Sequence, residues 1–248
     1  MTSKFRFAMA ASAALSCVAL TGHAVPITFD SFGSLPQATF GGTGIPNDEV
    51  AAGSQFVFGD TTVTAALSAT QRFNNPALTS DGAGTYFATP GSNTPPGTTI
   101  EGSTWNFNFY IEVDDPNGTL AVNDFQVDLL YDFDPAADNT AGDLGKIDIT
   151  NSINAELLAA PPGTPAPTVV QDSQNLFFGF LANDIPGFID APVGTFDPNV
   201  NGEYTIALQV TDAGFPLETV AIKVVVPEPA TMGLLGSAGL LMLRRRRG

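Results

Sequence analysis

Trp105-Asn106-Phe107-Asn108-Phe109-Tyr110-Ile111-Glu112-Val113 is the stretch that decides the fold class. Trp105, Phe107, Phe109, Ile111 and Val113 occupy every second position, with Asn106, Asn108, Tyr110 and Glu112 between them. Side chains alternate across a strand with a period of two residues, so the stretch reads as a half-buried β-strand. Phe125, Val127, Leu129 and Tyr131 repeat the pattern, as do Tyr204, Ile206, Leu208 and Val210, and again Val220, Ile222, Val224 and Val226. Further strands are expected at Ile27 to Phe32, Gln55 to Phe58, Thr61 to Ser68, Lys146 to Thr150 and Asn175 to Leu181. The last of these is nearly all apolar and is expected to be central.

Turn-forming residues punctuate these runs at Asp114-Asp115-Pro116-Asn117-Gly118, Asp197-Pro198-Asn199-Val200-Asn201-Gly202 and Asp212-Ala213-Gly214. No long helical period and no 20 to 50 residue repeat is present. Short strands with such punctuation predict an all-β chain: a single β-sandwich, jelly-roll or immunoglobulin-like, over residues 25–226. The final two strands are expected to form a hairpin, and long loops are expected at Thr89 to Gly97 and Pro161 to Pro167.

Charged residues are only 14% of the chain, yet 19 Phe and many β-branched residues argue for a folded core. Between residues 25 and 226 only Arg72, Lys146 and Lys223 are cationic, against 24 carboxylates, leaving a charge of −21. Such a field repels a phosphate backbone, so nucleic acid is excluded as a partner. Cys17 and His23 are the only cysteine and histidine, and both precede residue 25. Disulfides, thiol nucleophiles, histidine triads and Cys/His zinc sites are thereby excluded from the domain.

The two ends read as addresses. Lys4 and Arg6 precede an apolar run from Phe7 to Leu20, and Gly22-His23-Ala24 places small residues where a signal peptidase reads. This three-part pattern predicts a signal peptide over residues 1–24 with cleavage after Ala24. A lasting N-terminal anchor is the alternative, but the run is short for a span of about 20 residues. At the other end, Val226-Pro227-Glu228-Pro229-Ala230-Thr231 leads into apolar Met232 to Leu243 and then Arg244, Arg245, Arg246 and Arg247. Residues 230–243 would form a helix of about 21 Å at 1.5 Å per residue, shorter than a hydrocarbon core of about 30 Å. The arginines would stay cytoplasmic and act as a stop-transfer signal, leaving the domain outside the inner membrane. Pro227 and Pro229 hold the junction extended.

Pro-Glu-Pro, a short hydrophobic segment and a terminal arginine cluster, in that order, resemble the PEP-CTERM sorting signal of Gram-negative bacteria, here residues 227–248. That resemblance implies recognition at Pro227, Glu228 and Pro229 by an exosortase, a membrane transpeptidase, in cells that make extracellular polysaccharide. It implies transient membrane anchoring, then a cell-surface or extracellular location, as in a biofilm matrix. The same tail occurs on unrelated domains, some described as ice-binding, so it carries an address and no activity.

Candidate chemistry in the domain is sparse. Asp132, Asp134, Asp138 and Asp143 form its densest oxygen-ligand cluster, and Ca²⁺ is the one candidate cofactor, since hard cations favour carboxylate-rich loops. Pro135 and two alanines interrupt any EF-hand spacing. Tyr110 and Tyr131 are the candidate rings for stacking on a saccharide, as in an exopolysaccharide-binding module. A glycoside hydrolase needs only two carboxylates, and Glu101, Glu112, Glu156, Glu203 and Glu218 are available, but nothing pairs any two of them. Thr61-Thr62-Val63-Thr64 is a solitary threonine run, whereas ice binding needs an array. The domain is therefore expected to be non-catalytic.

Overall fold

A computed structural model describes residues 24–40, 50–73, 78–95, 97–137 and 139–228. The chain is mostly β with several sheets and, among these residues, one α-helix. A five-stranded sheet runs in the order β1 (Ser31–Ser34), β2 (Val50–Phe58), β3 (Thr61–Gln71), β8 (Trp105–Asp114), β11 (Val169–Gln174). A seven-stranded sheet has the order β12 (Ile189–Asp190), β10 (Gly145–Asp148), β9 (Gln126–Tyr131), β13 (Gly202–Asp212), β14 (Phe215–Val226), β5 (Thr85–Phe87), β4 (Thr79–Ser80). A small ladder pairs β6 (Ser92–Asn93) with β7 (Gly102–Ser103).

The two large sheets share one core. The inward face of β8 contributes Trp105, Phe107, Phe109, Ile111 and Val113, and β9 and β13 contribute Val127, Leu129, Tyr131, Tyr204, Ile206, Leu208 and Val210. Aromatic rings tie the layers together: Phe107 stacks on Tyr131 at 6.3 Å, and Trp105 meets Tyr204 at 5.8 Å. The apolar face read from sequence at these strands is buried as expected, but the other face is covered in part as well: Asn108 and Tyr110 in β8 and Thr205 and Ala207 in β13 are also buried.

β13 and β14 form the expected hairpin, closed by only Ala213 and Gly214, which have φ of 47° and 83°. Two positive φ values in a two-residue loop are what the right-handed twist of flanking strands requires. A register shift at Val210/Thr211 marks a β-bulge just before the turn.

Three expectations fail. Asn175 to Leu181 is not a central strand: the preceding six residues form edge strand β11, and the segment turns into a 3-10 helix at Gly179–Ala182. Asn175 is the cause, because its buried amide bonds Ser103 N and Trp105 O at 2.9 and 2.8 Å, taking the place of a ladder. Ile27 to Phe32 contributes a lone bridge, Thr28 to Ala221, and β1 begins only at Ser31. Lys146 to Thr150 stops being a strand at Asp148, whose carboxylate accepts from Asn151 N at 2.7 Å and caps α1 (Ile149–Ala159). Ile149 and Ile153 are buried and Leu157 is partly buried, an i, i+4, i+8 stripe that seats the helix against the core.

Candidate functional site

β14 is an interior strand, held antiparallel by β13 and parallel by β5, with Val225 beside Phe87. Val225 O accepts from Ala88 N at 2.9 Å, and Val226 is buried and in register with Gly202. A Cβ on Gly202 would stand 2.2 Å from Pro135 Cβ, so only glycine lets that loop close over the strand end. Pro227 is half-buried and Glu228 is exposed. The chain thus passes from core strand to exposed proline junction with no spacer. Ala24, at the other expected cleavage point, is half-buried, and the next residue is fixed by Val25 N donating to Asn139 O at 3.2 Å. Pro229, Arg244, Arg245, Arg246, Arg247, the span 230–243 and residues 1–23 lie outside the described residues. Among the described residues no helix is long and apolar enough to cross a membrane.

The three described aspartates of the expected cluster, Asp132, Asp134 and Asp143, do not converge. Asp132 is buried at the end of β9; its Oδ2 accepts from Thr205 N at 2.7 Å, and its Oδ1 has no hydrogen-bond partner. Burial pushes its pKa up to about 7. Asp134 closes a turn by accepting from Ala136 N, and Asp143 accepts from Thr140 N and Oγ1, which holds its pKa below the usual carboxylate value. Asp138 lies outside the described residues. Among the described residues no three His, Cys, Asp or Glu side chains group as a metal site would require.

The expected stacking faces are absent. Tyr110 is 1% exposed and Tyr131 0%. A loop carrying Ala38 and Phe40 folds over the outer face of the five-stranded sheet and makes a second small core with Ala51, Ala66 and Tyr110. Gln171 Oε1 holds that loop by accepting from Thr39 N and Phe40 N at 2.8 and 2.7 Å. The Tyr110 hydroxyl donates to Glu112 at 2.9 Å, and the Tyr131 hydroxyl to Leu181 O at 2.7 Å. Burial raises the pKa of both phenols.

The glutamates are scattered among separate duties. Glu101 accepts from Ser92 Oγ, Glu203 pairs with Lys223, and Glu218 accepts from Thr219 N. Glu156 borders a groove of about 440 Å³ between α1 and β11, with Ser152, Gln171, Asp172 and Gln174. Sequence reading missed this groove because neither a helix after Asp148 nor a strand at Val169–Gln174 was expected. The cap at Asp148 and the Ile149/Ile153/Leu157 spacing were the available signals.

The three domain cations are all engaged. Lys146 reaches Asp190 at 3.3 Å and Lys223 pairs with Glu203. Arg72 is buried, and its guanidinium donates to Asn93 O and Oδ1 at 3.0 and 3.2 Å and to Ile100 O at 3.4 Å.

An anionic β domain joined without a spacer to a Pro-Glu-Pro, apolar and arginine tail is the layout of an exported cargo with a sorting address. The family model for the PEP-CTERM protein-sorting motif matches residues 225–247, so the chain carries that motif and is an exosortase-targeted secreted protein. The match begins at Val225, inside β14. Comparison with curated proteins and with solved structures gave no match.

Proposed function

We infer that the chain delivers a non-catalytic, acidic β-sandwich of residues 25–226 to the surface or extracellular matrix of a Gram-negative bacterium. In this reading a signal peptidase removes residues 1–24 and an exosortase removes the tail beyond the Pro227-Glu228-Pro229 region. The carrying observation is that the sorting motif starts within a core strand, so the address is fused to a whole folded domain. The jelly-roll or immunoglobulin-like family of sandwiches is the architecture this reading adopts. Mass spectrometry of the mature protein from its native host is the test: both ends should be missing. Recovery of a peptide spanning Leu234 to Leu243 from the surface fraction would defeat it. Replacing Pro227 and Pro229 by alanine should leave a longer, membrane-retained form.

The groove between α1 and β11 favours a second reading, an exopolysaccharide-binding module. Its Ser152, Glu156, Gln171 and Gln174 offer the hydroxyl, carboxylate and amide groups that hydrogen-bond sugar hydroxyls. A glycan array on residues 25–226 tests it, with Glu156→Ala expected to abolish any saccharide signal and no signal at all counting against it.

A further inference from the structure

The end of the domain from which the tail leaves is set by a chain of backbone contacts. Ala88 N bonds Val225 O, Gly91 N bonds Pro198 O, Thr104 N bonds Gly91 O, and Arg72 N bonds Thr104 O. These bonds gather the β5 exit, the Asp197 to Asn201 turn and the β6/β7 lobe around Val226. This end exposes large apolar side chains: Phe73 at 45%, Phe87 at 39%, Ile100 at 60% and Val200 at 39%. Of its carboxylates, Asp197 accepts from Asn199 N, Glu101 from Ser92 and Glu203 pairs with Lys223, while Glu228 is exposed.

The opposite end is built differently. Thr211 is in register with Gln126, Phe58 packs on Phe125 at 5.4 Å, and Thr62 is in register with Asp114. The β13/β14 turn, the β2/β3 turn and the end of β8 therefore lie together. Val57 and Phe58 are exposed there too, but among Asp60, Asp114, Asp115, Asp124 and Asp212.

Chain length decides which end meets the membrane. Four residue steps separate buried Val226 from Ala230, the first residue of the apolar segment. Fully extended they reach at most about 14 Å. The headgroup layer takes roughly 5–7 Å of that distance. Too little remains to hold the domain clear of the lipid while the tail is inserted. β14 spans roughly 36 Å at about 3.3 Å per residue, so the acidic end is kept well away.

We propose that the Phe73, Phe87, Ile100 and Val200 end of the domain is a lipid-contacting platform that rests on the outer leaflet of the inner membrane until the tail is cut. Amphipathic contact with the headgroup boundary suits scattered apolar side chains around a tether, whereas five aspartates crowded around Val57 and Phe58 would be repelled by anionic lipid. The proposal rests on the tail being a membrane segment. It concerns the orientation of the domain, which the tail alone does not fix.

The test uses the full chain from a host lacking the transpeptidase, with Cys17→Ser, reconstituted into phosphatidylethanolamine/phosphatidylglycerol vesicles. Single cysteines at Phe87→Cys, Val200→Cys, Val57→Cys or Asp60→Cys carry an environment-sensitive fluorophore, and the vesicles include headgroup-level spin-labelled lipid. Loss of most fluorescence at positions 87 and 200, with positions 57 and 60 unchanged, is the expected result. Protein that floats with vesicles but is quenched equally, or not at all, at the four positions overturns the platform. Protein that no longer floats overturns the tail reading and the platform with it.

Discussion

Asp132 Oδ2 accepts the backbone N–H of Thr205 at 2.7 Å while Oδ1 of the same carboxyl, equally buried, has no hydrogen-bond partner. A buried, half-satisfied carboxyl at the β9/β13 seam makes ionisation costly, which is why its pKa lies near 7.

That asymmetry sets a pH dependence. The folded-state pKa is raised above the unfolded value of 3.8, so the folded form holds the proton across the window between them. Stability from this group is present in full below about pH 4, falls as pH rises towards 7, and levels off above. Summed over that window the loss is about 4 kcal/mol. Asp132→Asn should flatten the fall and be more stable than the wild type at pH 8. Urea denaturation of residues 25–226 at pH 5 and pH 8 measures both, and parallel pH profiles for the two proteins would refute the assignment.

Arg72 clamps the β6/β7 lobe through Asn93 and Ile100. Lysine keeps the charge but not the planar fork, so Arg72→Lys should cost about 1–3 kcal/mol. Arg72→Ala, which removes the buried side chain together with its hydrogen bonds to Asn93 and Ile100, should cost more. Chemical denaturation gives the order, and a lysine variant as stable as the parent would show the fork to be dispensable.

Ala213 occupies φ 47° in a turn whose neighbour Gly214 is at φ 83°. An L-residue with a Cβ pays about 1 kcal/mol there, which glycine avoids. Ala213→Gly should raise stability, by several tenths of a kcal/mol once the extra entropy of unfolded glycine is counted. A lower melting temperature would show that the turn has another geometry.

Gly202 lies against Pro135 and opposite Val226. Gly202→Ala should destabilise the domain by about 1–3 kcal/mol through overpacking. Its effect should concentrate at the tail exit, seen as faster amide exchange at Val224 to Val226 than in the middle of β14. Uniform loss of protection along the strand would contradict a local role.

Legibility in the sequence followed the physics of each segment. Trp105 to Val113 and Tyr204 to Val210 were readable because one face of each is buried in a common core, which imposes strict alternation. Tyr110 was misread as exposed because its cover, the loop with Ala38 and Phe40, comes from some 70 residues away and alternation carries no information about a second layer. Asn175 to Leu181 looked like a strand by apolarity alone, while one buried amide at Asn175 dictated a turn. The helix after Asp148 was hidden by its narrow apolar stripe. The sorting junction was legible because proline, charge and apolar length act locally. The groove beside α1 was not, since it exists only once the fold brings α1 and β11 to face each other across one hollow.

The engagement of all three cations has a consequence for persistence outside the cell. Trypsin-like proteases cleave after lysine or arginine, and residues 25–226 offer only Arg72, Lys146 and Lys223. Arg72 is buried, Lys146 lies within β10, and Lys223 lies in β14 between two partner strands. The two lysines stand within strands, and Arg72, one residue past β3, has its side chain buried and its N–H bonded to Thr104 O, so none is presented to an active-site cleft as an extended substrate. A folded copy shed into a protease-rich milieu should therefore outlast neighbouring proteins with ordinary lysine content.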